Sequence, residues 1–232
     1  MAGRIAHQSF ANKVMSAAEA AALVHPGASI GFSGFTGAGY PKEFPVALAQ
    51  RITEARGRGE DFTIKAFTGA STAPELDGVL ADTGGMAFRT PYQSDPHLRA
   101  KINDGTTNYC DIHLSHLQKL INMGFFGSLD FAVIEATAIT EEGDIIPSSS
   151  IGNNRTYLDI AVVIPANVGP PPPVTSALPP GLLTGSTAVN NPSARALVTA
   201  SSVDVRREPN EASFAFAELR RGVNAQVLAV SK

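Results

Sequence analysis

The chain has 232 residues, 44% hydrophobic and 17% charged, ordinary usage for one large or two small globular domains. A net charge of −3 and a pI near 5.9 lack the basic footprint that drives binding to a phosphate backbone, and no RNA-module or zinc-finger spacing occurs, so nucleic acid is not an expected partner. The single cysteine, Cys110, excludes an intramolecular disulfide and a cysteine-only metal site; with no run of 18 apolar residues and no apolar signal core at the N-terminus, the expectation is a soluble cytosolic or matrix protein with no membrane partner.

The first element is a helix. Ser16-Ala17-Ala18-Glu19 reads as a capping box, and the alanine-rich segment behind it runs toward the stop at Pro26-Gly27. Residues 28–32 (ASIGF) form an apolar but glycine-broken strand, followed by GFTGAGYPK. Proline at 41 and 45 suits a first helical turn, and Phe44, Leu48 and Ile52 make one apolar stripe until Gly57 and Gly59 end the helix. FTIKAF (62–67) then reads as a strand, TGAST (68–72) as a loop, and Thr72-Ala73-Pro74-Glu75 as a second capping box.

GMAFRT (85–90) continues as a strand, Asp95-Pro96 caps a short helix, and Leu114, Leu117 and Ile121 mark another helical face. LDFAVIEATAI (129–139) is the strongest strand, long and β-branched until Glu141-Glu142-Gly143. Strands alternating with helices, the strands near-continuously apolar, predict an α/β fold: an open sheet covered by helices on both faces.

In such sheets ligands bind beyond the carboxyl ends of the strands, where loops lead into helices. The loop Gly31–Lys42 lies at such an end, with glycines at 31, 34, 37 and 39 that allow positive φ and close approach of a ligand to backbone N–H groups. It is neither a G-x-G-x-x-G fingerprint nor a P-loop, since Gly39 is followed by Tyr40-Pro41-Lys42. A tight turn serving only strand and helix packing is the alternative.

Gly34-Phe35-Thr36-Gly37-Ala38-Gly39-Tyr40-Pro41 resembles the G-F-x-x-x-G-x-P signature of the class I coenzyme A transferases, with Gly27 at the upstream glycine position. Ser33 stands where many members carry a further glycine, and Pro26 where an acidic or amide residue is usual. SGFTGAGYPKEFPVALAQR, FTGASTAPELDG, FRTPYQSDPHLRAKIN and IEATAITEEGDIIPSSSIGNN together resemble the acetyl-CoA hydrolase / succinyl-CoA:acetate CoA-transferase branch over about residues 4–160. The resemblance implies a CoA-transferase-like N-terminal domain, incomplete in this chain, whose intact relatives are homo-oligomers that bind acyl-CoA and a small carboxylic acid. No permanently bound cofactor is implied; the coenzyme A thioester is a substrate, and no metal is needed. It assigns the nucleophile to a glutamate of a second domain, so no catalytic residue is expected here. Phe35, Thr36, Gly37, Ala38 and Gly39 are expected to form a substrate-binding wall whose backbone donors stabilise charge on the thioester oxygen.

Ser71, in Gly69-Ala70-Ser71-Thr72-Ala73, is expected to line the same pocket and hydrogen-bond the carboxylate. The segment is also a near miss to the G-x-S-x-G elbow, which leaves a serine hydrolase as an alternative, and Ser71 or Thr72 as a simple helix cap as another. His113 and His116, at i, i+3 without a third ligand, read as a solvated helix face. Glu135 ends a buried strand run and reads as a structural or pocket hydrogen-bonder, while Arg89 and Arg99 read as surface ion-pair formers.

Beyond 161 the pattern changes. Nine of the 16 prolines lie from Pro165 onward, four of them consecutive at 170–173, and the stretch lacks periodicity. We expect residues 1–161 to be the family domain and 162–232 an irregular proline-rich tail, extended or disordered, with a short helix at 214–230. The tail is read as out-of-frame translation, with a natural linker as the other explanation. Three functions follow as expectations: a partial member of this transferase family, a serine hydrolase using Ser71, or a non-catalytic fragment that pairs with a separate second domain.

Overall fold

The structure, a computed structural model, describes residues 4–7, 10, 13–70, 72–161, 163–168, 195–199 and 228–230. Among these, ten strands form one open sheet in the order β5-β4-β3-β2-β6-β8-β9-β10-β1, with β7 beside β6. The strands are β1 (Val14–Met15), β2 (Ala28–Phe32), β3 (Ile64–Phe67), β4 (Met86–Thr90), β5 (Asn108–Tyr109), β6 (Phe131–Ile139), β7 (Ile145–Pro147), β8 (Val163–Val168), β9 (Arg195–Thr199) and β10 (Leu228–Val230). Every pairing is parallel except that of β7 with β6. The helices are α1 (Ala17–Ala22), α2 (Glu43–Gly57), α3 (Val79–Asp82), α4 (Pro96–Asn103), α5 (Leu114–Asn122) and α6 (Asn154–Ile160).

The α/β expectation is met, and the period-two pattern of β6 shows how. Phe131 and Val133 join a core with Phe44, Leu48 and Ile52 of α2, whereas Ala132, Ile134 and Ala136 join a second core with Leu117 and Ile121 of α5 and Tyr157 of α6. The two cores are the two covered faces of the sheet. Leu48 and Ile52 are fully buried, and truncating either to alanine would cost about 2–5 kcal/mol. The glycine that breaks β2 has a packing reason: a Cβ at Gly31 would sit 2.6 Å from Cγ of Tyr157, so the phenol ring lies on bare backbone.

The helix starts follow the expected chemistry at two places. Ser16 and Glu19 form both halves of the capping box, and the Asp95 side chain accepts from the N–H groups of His97 and Leu98. The second box does not form. The chain instead makes one π-helical turn, Pro74–Gly78, starting at Ala73 without a side-chain cap, and Thr72 Oγ1 is buried with no partner among the described residues. Other partners have claimed its components: Thr72 N–H donates to Asp77 Oδ2 at 3.3 Å, and the Glu75 carboxylate accepts from Tyr40 OH at 2.9 Å.

Within the tail, three strands are described: β8 lies between β6 and β9, and β10 pairs with β9, β8 and β1. The apolar, β-branched start Val163-Ile164 suits such a position. The expected helix at 214–230 is not the form of its last three residues, which are β10; positions 214–227 lie outside the described residues.

Candidate functional site

Chain direction places the site. From β2 the chain builds β3, β4 and β5 to one side, then returns to lay β6 on the other side of β2. The carboxyl ends of β2 and β6 are therefore a topological switch point, where loops diverge and leave a crevice. Three loops meet there: 33–42 after β2, 68–73 after β3, and 148–153 before α6.

At three of their glycines they meet backbone to backbone. A Cβ on Gly69 would lie 1.9 Å from the carbonyl oxygen of Gly34, and one on Gly152 would lie 2.5 Å from the same oxygen. Any side chain at these positions would force the loops apart.

The glycine loop has a defined form. Phe35 N–H donates to Ala38 O at 2.9 Å and Ala38 N–H to Phe35 O at 3.1 Å, closing a tight turn. Its central residues Thr36 and Gly37 have φ of 50° and 75°, the two positive values of a type I′ turn. Glycine takes this conformation without strain; threonine, β-branched, does not. Phe35 is 44% exposed at the tip, whereas Gly39 and Tyr40 are buried at its base. The two amides within the turn are thus already used, which narrows the expected set of donors.

The base of the loop is tied to the sheet by side chains. Ser33 Oγ donates to Gly39 O at 2.8 Å and accepts from Glu135 N–H at 2.7 Å, so it continues the β2–β6 ladder after β2 has turned away. Ser150 Oγ donates to Ala38 O at 2.6 Å, and Lys42 Nζ to Tyr40 O at 3.0 Å. Lys42 also lies 4.3 Å from the centroid of the Tyr40 ring and donates to Glu135 Oε2 at 2.7 Å. Burial and the Glu75 carboxylate push the Tyr40 phenol above its ordinary range, so it remains a donor.

Glu135 is a hydrogen-bonder, as expected. Its side chain is fully buried, with Oε2 on Lys42 and Oε1 accepting from Ser148 Oγ at 2.7 Å. The reading of Arg89 as a surface ion-pair former is corrected: it is fully buried and donates through Nε and Nη2 to Asp77 Oδ1 and Oδ2 at 2.8 and 2.9 Å. A guanidinium needs such a planar, two-point partner when water is excluded. Arg99 forms no ion pair among the described residues; its guanidinium reaches Ser94 O at 3.5 Å. The His113 ring nitrogen accepts from Ser115 N–H at 3.3 Å and caps α5, and among the described residues no three metal-ligating side chains cluster.

Of the expected site residues, Phe35, Thr36, Gly37, Ala38 and Gly39 share this one loop at the switch point, and Ser71 lies outside the described residues. Sequence reasoning missed Ser33, Ser150 and Lys42 as loop ties. A lone serine or lysine carries no such signal; only the fold brings position 150 to position 38. Among the described residues, no helix is long and apolar enough to cross a membrane.

The family described as acetyl-CoA hydrolase/transferase N-terminal domain matches residues 3–175, past the expected boundary at 161. The chain is 42% identical over 170 residues to a succinyl-CoA:acetate CoA-transferase of Clostridium kluyveri, covering 72% of this chain and 31% of that protein. It is 42% identical over 144 residues to a propanoyl-CoA:succinate CoA transferase of Escherichia coli and 36% identical over 179 residues to an acetyl-CoA hydrolase of Yarrowia lipolytica. The chain spans about a third of the length of these relatives (31%, 29% and 34%). RipA from Yersinia pestis shares the fold, with a TM-score of 0.56 at 14% identity over 97% of this chain and 43% of that one.

Proposed function

Because this chain belongs to the acetyl-CoA hydrolase/transferase family through its N-terminal domain, we propose that its switch-point loops form one wall of a site for an acyl-CoA thioester and a small carboxylate such as acetate or succinate. The observation that carries the reading is the convergence of three loops on Gly34, Gly69 and Gly152 at the carboxyl ends of β2, β3 and β6. Backbone N–H donors held rigidly at such a switch point are each worth on the order of 3 kcal/mol when aimed at developing negative charge on a carbonyl or carboxylate oxygen. Ser71, in the same loop as Gly69, keeps the role that the resemblance implies, a donor to the small carboxylate.

The reaction class proposed for the intact relatives is ping-pong transfer of CoA between carboxylic acids through a glutamyl-CoA thioester, or hydrolysis of that thioester. The attacking glutamate is assigned to a second domain. Glu135 does not fill that role, because both of its oxygens are engaged by Lys42 and Ser148 and its side chain has no exposure. Catalysis then requires pairing with that domain. The same reading divides the chain at 161 into a family domain and a tail outside the site; the coding DNA around codon 160, read in three frames, tests whether the tail is in frame.

Hydrogen exchange of the full chain with and without acetyl-CoA tests the site. Slowed exchange in 33–42 and 68–73 is expected. Protection confined to other segments would contradict the assignment.

A further inference from the structure

Planar trans peptides place each N–H opposite the preceding C=O. The carbonyl of Ala38 is held by Phe35 N–H and Ser150 Oγ, and that of Gly39 by Ser33 Oγ. The N–H of Gly39 therefore points away from Ser150, and the N–H of Tyr40 away from Ser33. Both residues are buried, yet neither N–H has an acceptor among the described residues. Buried backbone donors are almost always paired, so two consecutive ones left over at a switch point call for an oxygen that the described residues do not supply.

We infer that the donors of this loop are the N–H groups of Gly39 and Tyr40, and that Ser33 and Ser150 are positioning residues that aim them. The inference rests on the proposed function and narrows it. The turn amides of Phe35 and Ala38 are consumed internally, and the exposed tip at Thr36–Gly37 serves to reverse the chain. Ser33 is the more exacting of the two clamps. Its hydroxyl joins Glu135 N–H to Gly39 O, so loss of that hydroxyl leaves both groups unpaired and frees the Gly39–Tyr40 peptide to rotate. A glycine at position 33 could not make this bridge. The ligand class is an oxygen carrying partial or full negative charge: a carboxylate, or a thioester carbonyl as it is attacked.

The test is a titration of the 15N-labelled full chain with sodium acetate, with sodium chloride at equal ionic strength as control, following each amide resonance. Saturable downfield shifts of the Gly39 and Tyr40 N–H signals, larger than those of Phe35 and Ala38, are expected. Ser33→Ala and Ser150→Ala should each weaken acetate binding at least fivefold, and Ser150→Thr, which keeps the hydroxyl, should stay within twofold of the parent chain. If Ser33→Ala does not fold, the Ser150 pair decides the matter alone. Acetate that shifts the Gly39 and Tyr40 amides equally in the parent and both alanine variants would overturn the positioning role but leave the proposed site standing. Acetate that shifts neither amide in the parent chain would overturn both.

Discussion

The carbonyl oxygen of Gly34 sits where Gly69 would carry its Cβ, 1.9 Å from that position. Two loops separated by one helix and one strand, α2 and β3, are thus packed backbone to backbone, a contact that alanine cannot share. Gly69→Ala should destabilise the chain by about 1–3 kcal/mol, the usual cost of overpacking, and should abolish acetyl-CoA protection of residues 33–42. Gly57→Ala is the control. A Cβ there meets nothing within 4 Å at the end of α2, so the change should be neutral or stabilising by up to about 1 kcal/mol. Denaturant melts of the two variants compare them; equal stabilities would contradict the packing argument.

Arg89 and Asp77 make the buried charge pair behind the loop after β3, with Nη1 of Arg89 also donating to Pro91 O at 3.2 Å. Asp77→Asn leaves a guanidinium buried without its counter-charge and should cost about 3–5 kcal/mol. The double substitution Asp77→Leu with Arg89→Met removes both charges and should cost less than Asp77→Asn alone. Urea unfolding of the three proteins checks this; a single variant within about 1 kcal/mol of the parent would mean that the pair is solvated in solution.

His97 and Asp82 form an exposed pair at 2.9 Å between α4 and α3. Hydrogen bonding to Asp82, then its charge and that of Asp95, raise the His97 pKa above the ordinary value near 6.5. The folded state therefore favours the imidazolium. The stabilising contribution is fully present below about pH 6.5, the unfolded value, and is lost as pH climbs through the higher folded value. A titration followed by the His97 ring protons should show a midpoint above 6.5, and Asp82→Asn should lower it. A midpoint unchanged by that substitution would remove Asp82 as the cause.

The elements were legible where one local signal decided them. Ser16 and Glu19 both carry out the cap written in their spacing, and β6 shows its two faces in alternate residues. The capping box at Thr72–Glu75 was not, because its outcome depended on Asp77 and Tyr40, one of them on a different loop. Arg89 looked like a surface residue because a buried arginine differs from an exposed one only in its partner, and Asp77 is twelve positions away. The glycine loop announced itself through composition. Its clamps did not: Ser150 reaches Ala38 across 112 positions, a distance that only the sheet order closes.

The central proposal is that loops 33–42 and 68–73 form the donor wall of an acyl-CoA site and that Glu135 is not its nucleophile. Its most direct test is transfer of CoA from acetyl-CoA to succinate by the purified 232-residue protein, with Glu135→Gln beside it. A carboxylate held about 3.5 Å from the thioester carbon accounts for roughly 7–11 kcal/mol of barrier lowering, and a wall of N–H donors cannot replace it. No succinyl-CoA above the uncatalysed background is predicted for either protein. Turnover at ordinary enzyme rates by the parent chain, abolished in a folded Glu135→Gln variant, would show that a first-domain glutamate makes the attack and would contradict the account.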